Sequence, residues 1–357
     1  MKKIVLTGGG TAGHVTPNIA LLPALQAAGY EIAYVGSYEG IEKKLIADFN
    51  IPYTGISTGK FRRYLDPKNF SDPFRVMKGF VEARNYLKNY QPDVVFSKGG
   101  FVSVPVVRAA ASLHIPCIIH ESDMTPGLAN KLCIPVAEKV CCNFPETMKN
   151  IPADKAVLTG SPIRAELAEG SKLAGLNMCG FTANKPVIMV IGGSLGAANV
   201  NKAVRDALPK LLEDFQVVHL CGKDKIDNLL LNTPGYKQFE YIKAELKDIF
   251  AMADIVISRA GANAICELLA LKKPNILIPL PAASSRGDQL LNAASFEAQG
   301  YSIVLNEDDI TTNLLVDKVH ELYFNRQNYV DAMSKSHQMD AVKTIMEPVS
   351  YTHLRAH

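Results

Sequence analysis

The chain has 357 residues, about twice the length of a typical domain, so two domains with separate cores are expected. Its composition of 48% hydrophobic and 20% charged residues is typical of a globular protein and excludes a largely disordered chain. Lysine and arginine number 38 against 35 aspartate and glutamate residues, a net charge of +3. This excess is too small for nucleic-acid binding through bulk charge, so any anionic partner needs a local patch.

The seven cysteines include no C-x-x-C pair, which argues against a disulfide framework or a zinc site and favours a reducing compartment. The apolar start of the chain is too short for a signal-peptide core. Apolar runs such as Val187–Ile191 are too short to span a bilayer. We therefore expect a cytosolic protein, or one that lies on a membrane without crossing it.

Short β-branched runs alternate with helical patterns along the whole chain, which predicts βαβ units and parallel sheets. The predicted strands are Lys3–Thr7, Glu31–Val35, Tyr53–Ile56, Asp93–Ser97, Pro116–His120, Lys139–Asn143, Ala156–Thr159, Val187–Ile191, Val217–Cys221, Phe239–Ile242, Asp254–Ser258, Asn275–Pro279 and Ser302–Leu305. The turn-rich stretch at Thr159–Arg164 predicts a boundary between domains 1–162 and 163–340, followed by a C-terminal segment, 341–357. The predicted fold is α/β, with two Rossmann-like doubly wound parallel-sheet domains facing a central cleft.

The first strand is followed at once by Gly8–Gly13, which fits the phosphate-binding pattern G-x-G-x-x-G. The second strand ends Tyr34-Val35-Gly36-Ser37, without the acidic residue that would bind an adenosine ribose, so a nicotinamide cofactor is disfavoured. A structural tight turn and a site for another ligand both remain open. His14, which follows directly, has either a structural or a catalytic role.

Gly192–Gly196 fits the nucleophile-elbow pattern G-x-S-x-G, which would make Ser194 a hydrolase nucleophile. The histidines further along the chain are poorly placed for a catalytic triad, because His219 lies inside a predicted strand and His320 and His337 on late helical segments. A phosphate-binding loop with Ser194 as a hydroxyl donor is the favoured interpretation.

A third strand, turn and helix pattern spans Ser258–Glu267 and places Glu267 about one turn inside the helix. A carboxylate there could accept both hydroxyls of a ribose while the helix N-terminus faces a diphosphate; the alternative is an acidic residue favoured only by the helix dipole. Gln289 and Asn292, three residues apart, share a helix face that could meet a sugar.

These segments, together with Ser97–Ser103 and His120–Ser122, resemble the MurG family of N-acetylglucosaminyltransferases, which convert lipid I to lipid II in bacterial peptidoglycan synthesis. The motifs occur in the family's order over roughly residues 1 to 340. The resemblance implies a GT-B fold, with UDP-N-acetylglucosamine bound by the C-terminal domain and lipid I by the N-terminal domain.

The resemblance also implies roles for individual residues. Arg164 and Ser194 would contact the diphosphate, Ile242 the uracil through its backbone, Glu267 the ribose and Gln289 the transferred sugar. The implied phosphate loops contain Gly193, Leu195, Gly196, Ala262 and Asn263, and the implied acceptor site contains Gly10, Thr11, Gly13, His14, Thr16, Gly99, Gly100 and Asp123. Two positions depart from some relatives, Ala264 in place of threonine and Asp123 in place of asparagine, and Ala264 offers no hydroxyl to a phosphate.

The implied reaction is an inverting transfer to the 4-hydroxyl of N-acetylmuramate, with His14 as the general base. Arg164, backbone N–H groups and helix dipoles would stabilise the departing diphosphate. The chain has no Asp-x-Asp sequence, which binds the metal in the other large class of sugar transferases, so we expect no obligatory metal ligand. We also expect no cofactor. Two alternatives remain open: a UDP-N-acetylglucosamine 2-epimerase, and a sensor that binds the nucleotide sugar without turnover.

The segment 70–88 interleaves apolar residues with Arg75, Lys78, Arg84 and Lys88, and a basic cluster, 60–63, precedes it. Such a pattern fits either an anionic membrane surface or an ordinary amphipathic helix packed on its sheet. With a polyprenyl-linked acceptor, we expect a peripheral protein on the cytoplasmic face of the cell membrane, with other cell-wall synthesis proteins as partners. After Met346 the helical apolar period is predicted to end, and residues 347–357 do not resemble the family's closing helix.

Overall fold

The computed structural model describes residues 2–59, 72–192, 197–282, 287–336, 338 and 340–355. The chain divides into two compact units, the first formed by Met1–Arg164 with Asp340–His357 and the second by Ala165–Met339.

Strands and helices alternate in both units, as the sequence predicts. The strands are β1 (Lys2–Thr7), β2 (Tyr30–Ser37), β3 (Tyr53–Ile56), β4 (Val94–Ser97), β5 (Cys117–Glu121), β6 (Lys139–Cys142), β7 (Ala156–Leu158), β8 (Val187–Ile191), β9 (Gln216–Leu220), β10 (Tyr236–Phe239), β11 (Ile255–Ser258), β12 (Asn275–Leu277) and β13 (Ser302–Val304). The helices are α1 (Thr16–Ala27), α2 (Ile41–Ile46), α3 (Asp72–Tyr90), α4 (Ser103–Ser112), α5 (Leu128–Cys133), α6 (Pro145–Met148), α7 (Lys172–Cys179), α8 (Ala198–Asp214), α9 (Leu246–Met252), α10 (Ala262–Ala270), α11 (Asp288–Ala298), α12 (Thr312–Phe324), α13 (Arg326–Ser334) and α14 (Ala341–Arg355).

Within the described residues, the first unit has a seven-stranded sheet in the order β3-β2-β1-β4-β5-β6-β7, with every pair parallel. Both faces are covered. Residues of α3, α4 and α5 bury one face, and residues of α1 and α14 bury the other. Burial on both sides explains why these strands are continuous apolar runs without polar alternation.

The sheet of the second unit has the order β10-β9-β8-β11-β12-β13 in the described part of the chain, again with all pairs parallel. Apolar residues of α8 and α12 pack on one face. Side-chain caps fix two helix starts: Ser171 Oγ accepts from Ala174 N at 3.3 Å before α7, and Thr311 Oγ1 accepts from Leu314 N at 3.2 Å before α12. Two doubly wound parallel-sheet units confirm the predicted fold class.

Two local predictions are wrong. β10 pairs Tyr236 with Val217 and ends at Phe239, whereas the sequence placed that strand at Phe239–Ile242. The strand is fixed by its parallel register with β9, which a short sequence pattern does not reveal.

The helix expected to end after Met346 continues to Arg355. Ile345 and Val349, four residues apart on α14, are 0% and 1% exposed in the core of the first unit. The apolar period therefore persists on the buried face of α14, with Pro348 inside the helix.

Candidate active site

The turn after β1 is held from behind by a buried polar network. Tyr34 Oη donates to the Gly8 carbonyl at 2.7 Å, and Asn18 Nδ2 donates to Tyr34 Oη at 3.2 Å and to the Thr7 carbonyl at 3.1 Å. Gly10 has φ of +85°, a left-handed conformation that favours glycine. The turn is therefore a fixed loop whose outer residues, Gly10 and Thr11, are exposed.

His14 closes this loop in a short 3-10 helix, Ala12–His14, just before α1. Its Nδ1 lies 3.0 Å from Thr11 Oγ1, and the Thr16 hydroxyl donates to the Ala12 carbonyl at 3.0 Å. Burial, followed by the positive charge of Lys98, lowers the pKa of His14 to about 4. The imidazole is therefore neutral at pH 7 and can accept a proton.

The turn after β4 lies against the first turn. Gly99 and Gly100 have φ of +97° and +83°. A Cβ on Gly100 would collide with the Gly9 carbonyl and would lie 3.3 Å from His14 Nδ1. Glycine is thus required at residue 100 by both conformation and space, and the structure brings Gly99 and Gly100 together with His14.

Beneath the Gly99–Gly100 turn lies a buried lysine. Lys98 is 1% exposed, its Nζ lies 2.8 Å from His120 Nδ1, and it also donates to the Ser122 hydroxyl. His120 Nε2 lies 2.8 Å from the Gly160 carbonyl. Burial, and then the Lys98 charge, lower the pKa of His120 well below its ordinary value, so this imidazole is neutral and accepts from the ammonium.

Asp123 follows β5 and is half-buried. The carboxylate of Glu121 holds this loop, since its oxygens accept from Asp123 N at 2.9 Å, Gly127 N at 3.0 Å and Asn130 Nδ2 at 2.8 Å. The Thr147 hydroxyl donates to the Asp123 carbonyl at 3.1 Å. The backbone of Asp123 is therefore fixed at the same edge of the sheet as the two glycine turns.

In the second unit, the turn after β11 leads directly into α10. Ala262 and Asn263 form the first residues of this helix, and Glu267 lies on its second turn; all three are half-buried. The N–H groups and the dipole at the start of a helix favour an anion, so the backbone at the start of α10 suits a phosphate. The predicted placement of Glu267 one turn inside the helix matches the structure.

Polar side chains link the neighbouring turns of this unit. Gln289, on the first turn of α11, accepts from Leu280 N at 3.1 Å. Asn292 donates to the Ala260 carbonyl at 3.1 Å and is 1% exposed, so the sugar-facing position expected for it is wrong. Arg259 donates to the Ile278 carbonyl at 3.0 Å and forms an ion pair with Glu307.

The remaining predicted site residues are placed as follows. Gly193, Ser194, Leu195 and Gly196 lie outside the described residues. Ile242 follows β10 with its side chain 5% exposed, which leaves a role for its backbone, and Arg164 is the last residue of the first unit before Ala165. Sequence reasoning missed the buried charged groups Glu42 and Arg259 and did not single out Lys98 or Glu121. Lys98, Glu121 and Arg259 carried a signal, because all three occur inside motifs described above, whereas Glu42 occurs in none.

Doubly wound parallel-sheet units with glycine turns at the carboxyl ends of their strands belong to the α/β class of proteins that bind ligands at that edge of the sheet. Residues 4–142 match the glycosyltransferase family 28 N-terminal domain and residues 187–348 its C-terminal domain. The chain belongs to glycosyltransferase family 28 and is a glycosyltransferase.

Relatives match nearly the whole chain. The UDP-N-acetylglucosamine–N-acetylmuramyl-(pentapeptide) pyrophosphoryl-undecaprenol N-acetylglucosamine transferase of Lachnospira eligens is 65% identical over 97% of this chain and 98% of its own length. The enzymes of the same name from Lachnoclostridium phytofermentans and Clostridium botulinum are 63% and 58% identical, over 99% and 97% of this chain and 100% and 98% of their own lengths.

Solved structures show the same fold. Acinetobacter baumannii MurG has a TM-score of 0.77 at 28% identity and covers 98% of this chain and 100% of its own. A UDP-GlcNAc 2-epimerase from Neisseria meningitidis has a TM-score of 0.70 at 14% identity over 98% of this chain and 100% of its own, a likeness of fold alone.

Proposed function

We propose that this chain transfers N-acetylglucosamine from UDP-N-acetylglucosamine to the 4-hydroxyl of the N-acetylmuramyl residue of lipid I, forming lipid II. The observation that carries the proposal is the match at 58–65% identity, over nearly their whole length, to transferases whose names give this donor, this acceptor and this transferred sugar. The glycine turns of the first unit and the turn before α10 in the second unit support the proposal, since a transferase must bind both a hydroxyl acceptor and a nucleotide sugar.

At the anomeric carbon the reaction forms one bond and breaks one. The acceptor oxygen bonds to the anomeric carbon of N-acetylglucosamine as the bond from that carbon to the diphosphate oxygen breaks. UDP departs with the bonding electron pair, and the hydroxyl proton moves to a base. A single displacement converts the α-linked donor into a β-1,4-linked product.

His14 is the proposed base. With its pKa lowered to about 4, the ring is neutral at physiological pH, so one ring nitrogen has a lone pair for the proton, and burial makes it a weaker base than a free imidazole. Thr11 Oγ1, 3.0 Å from Nδ1, orients the ring. Around it, Gly10, Gly13, Thr16, the Gly99–Gly100 turn and Asp123 form the proposed acceptor site.

The second unit is the proposed donor unit. The N–H groups at the start of α10 suit the diphosphate, and Glu267 suits the ribose hydroxyls. Gln289 already uses its side-chain oxygen on Leu280 N, so it would meet the sugar through its amide nitrogen. Arg164 and Ser194 are the further proposed diphosphate contacts, and Ile242 the backbone contact to uracil.

One assay tests the reaction. Purified protein and UDP-N-acetylglucosamine are incubated with and without a water-soluble lipid I analogue, and UDP and the sugar products are quantified. The transferase releases UDP only with the acceptor and forms the disaccharide. An epimerase would produce the 2-epimer without acceptor, and a sensor would bind UDP-sugar without product; either result refutes the proposal.

We infer that the enzyme is peripheral on the cytoplasmic face of the membrane and contacts it through one face of α3. Phe74, Met77 and Val81 are 79%, 64% and 50% exposed at helical spacing, and Arg75 and Lys78 are exposed beside them. Apolar and basic groups together suit an anionic leaflet. The basic cluster 60–63 and residues 70–71 lie outside the described residues. Among the described residues, no helix is both long and apolar enough to cross a membrane.

The membrane contact is tested by replacing Arg75, Lys78 and Arg84 with glutamate. Each basic residue near an anionic surface contributes about 1 kcal/mol, so the triple variant should be released from phosphatidylglycerol vesicles at 0.1 M salt. Turnover with the water-soluble acceptor should persist. The matched control reverses Lys202, Lys210 and Arg326, which are exposed on the second unit. Equal vesicle binding by both variants would exclude this face.

A further inference from the structure

We propose that Glu42 is a positioning residue of the acceptor site. Its buried carboxylate holds the Gly9–Gly10 turn and places a negative charge near the His14 ring. The inference rests on the proposed function, because it assigns Glu42 a part in acceptor binding and transfer. Glu42 lies on the first turn of α2 and is 0% exposed.

Three donors from two different segments converge on this carboxylate. Gly10 N donates to Oε2 at 3.1 Å, and Ser37 N and Ser37 Oγ donate to Oε1 at 2.9 and 2.5 Å. A buried carboxylate is stable only when such donors satisfy it. Glu42 therefore joins the ligand turn after β1 to the end of β2.

Three glycines make room for the carboxylate. A Cβ on Gly9 would lie 2.5 Å from Glu42 Cδ, one on Gly36 would lie 2.8 Å from Cγ, and one on Gly40 would collide with Oε1. None of these glycines has a positive φ, so glycine is needed there for space and not for backbone conformation. The chain is thus shaped around Glu42 at three separate positions, which a surface acidic residue does not require.

The charge of Glu42 opposes that of Lys98 at His14. The Lys98 ammonium lowers the pKa of His14 and the Glu42 carboxylate raises it. The other groups facing Glu42 are the phenols of Tyr34 and Tyr53, whose pKa values are raised mainly by burial and also by this carboxylate. Removing the negative charge should therefore lower the pKa of His14 further.

A glutamine cannot replace this glutamate. It keeps the shape but turns one acceptor oxygen into an N–H donor, so it cannot accept from Gly10 N while also accepting from Ser37. One buried N–H then loses its partner, and the turn that carries Gly10 loosens.

The test compares Glu42→Gln with Glu39→Gln. Glu39 is the matched control, because its side chain is 90% exposed and lies 3.8 Å from Lys43. In Glu42→Gln, kcat/KM for the soluble lipid I analogue should fall at least about tenfold, with the Kd for UDP unchanged within about twofold. The acid limb of kcat/KM against pH should move to lower pH. Glu39→Gln should match the wild type.

Ser37→Ala, which removes one donor, should lower kcat/KM for the acceptor in the same direction by about threefold. If a thermal unfolding scan shows that Glu42→Gln does not fold, Ser37→Ala tests whether the contacts of Glu42 position the acceptor site. Wild-type acceptor kinetics in the variants, or an equal loss of UDP affinity, would overturn the inference. A wild-type protein that forms no disaccharide would instead overturn the proposed function, so the two failures are distinguishable.

Discussion

The turns after β1 and β4 in the first unit and those after β11 and β12 in the second lie at corresponding edges of their sheets, yet their buried polar groups differ. In the first unit, the charges of Glu42 and Lys98 lie close to His14 and act on its pKa. In the second unit, the Arg259 guanidinium forms an ion pair with Glu307 and donates to backbone carbonyls of the neighbouring turn.

This difference separates two tasks. Buried charges beside a titratable ring tune a proton acceptor, whereas buried polar groups bonded to backbone hold loops in shape for a ligand. We propose that the first unit, where buried charges act on His14, carries the proton transfer and that the second unit holds the donor. The variants below test that division, in order of decreasing effect.

Arg259→Met should cost the most. Glu307 would be left with a buried charge without its ion-pair partner, a loss of about 3–5 kcal/mol in the free energy of unfolding. Urea unfolding of the full chain measures it. The double variant Arg259→Met, Glu307→Met should recover most of the loss. Unchanged stability with loss of UDP binding would instead show that Arg259 binds UDP, and the contrast between the buried groups of the two units would then be wrong.

His14→Ala should reduce turnover by at least about 10²-fold, the contribution of a positioned general base. UDP affinity should stay within about twofold, because the base belongs to the acceptor chemistry. Single-turnover rates and calorimetry measure the two quantities. His114→Asn is the control, since His114 is exposed and its φ of +58° suits asparagine. Wild-type chemistry in His14→Ala would move the base elsewhere, with Asp123 the next candidate.

Glu267→Ala should weaken UDP binding by about 1.5–3 kcal/mol, the range for a hydrogen bond to a charged group. Calorimetry with UDP gives the dissociation constant. Glu213→Ala, on the exposed side of α8, should bind UDP as the wild type does. If Glu267→Ala folds and keeps its UDP affinity, Glu267 does not bind UDP and is only an acidic residue favoured by the helix dipole.

The smallest expected effect is a pH dependence of the free energy of unfolding, which arises from His219. Burial, followed by the charge of Arg205, lowers its pKa to about 3, and its ring nitrogens lie 2.8 Å from Tyr236 Oη and 2.9 Å from Asn201 Oδ1. The unfolded chain binds the proton near pH 6.5 and the folded one does not, so stability is complete above pH 6.5 and falls as pH drops towards 3.

The expected slope from this histidine is about 1.4 kcal/mol per pH unit. Urea unfolding between pH 6.5 and 5 measures it in the wild type and in His219→Gln, which should lack that part of the slope. Identical slopes would show that His219 does not titrate on unfolding.

The sequence by itself determined the fold class and most of the strands. Apolar runs such as Val187–Ile191 are buried on both faces of a parallel sheet, and that burial dictates an unbroken apolar pattern. It also predicted the glycine turns that follow β1 and β4, and the structure contains both. Gly10 has a positive φ and open space around it, so glycine is needed there for local conformation, which a sequence motif can reveal.

Only the tertiary structure decided which polar groups are buried and what they contact. Glu42, Lys98 and Arg259 belong to short segments whose local sequence does not distinguish a buried charge from an exposed one, because burial depends on chain segments far away in sequence. For the same reason Asn292 proved to be a scaffold residue and α14 a part of the first unit's core. The pKa of His14 follows from burial and from the charges of Lys98 and Glu42, which are distant in sequence and near only in the folded chain.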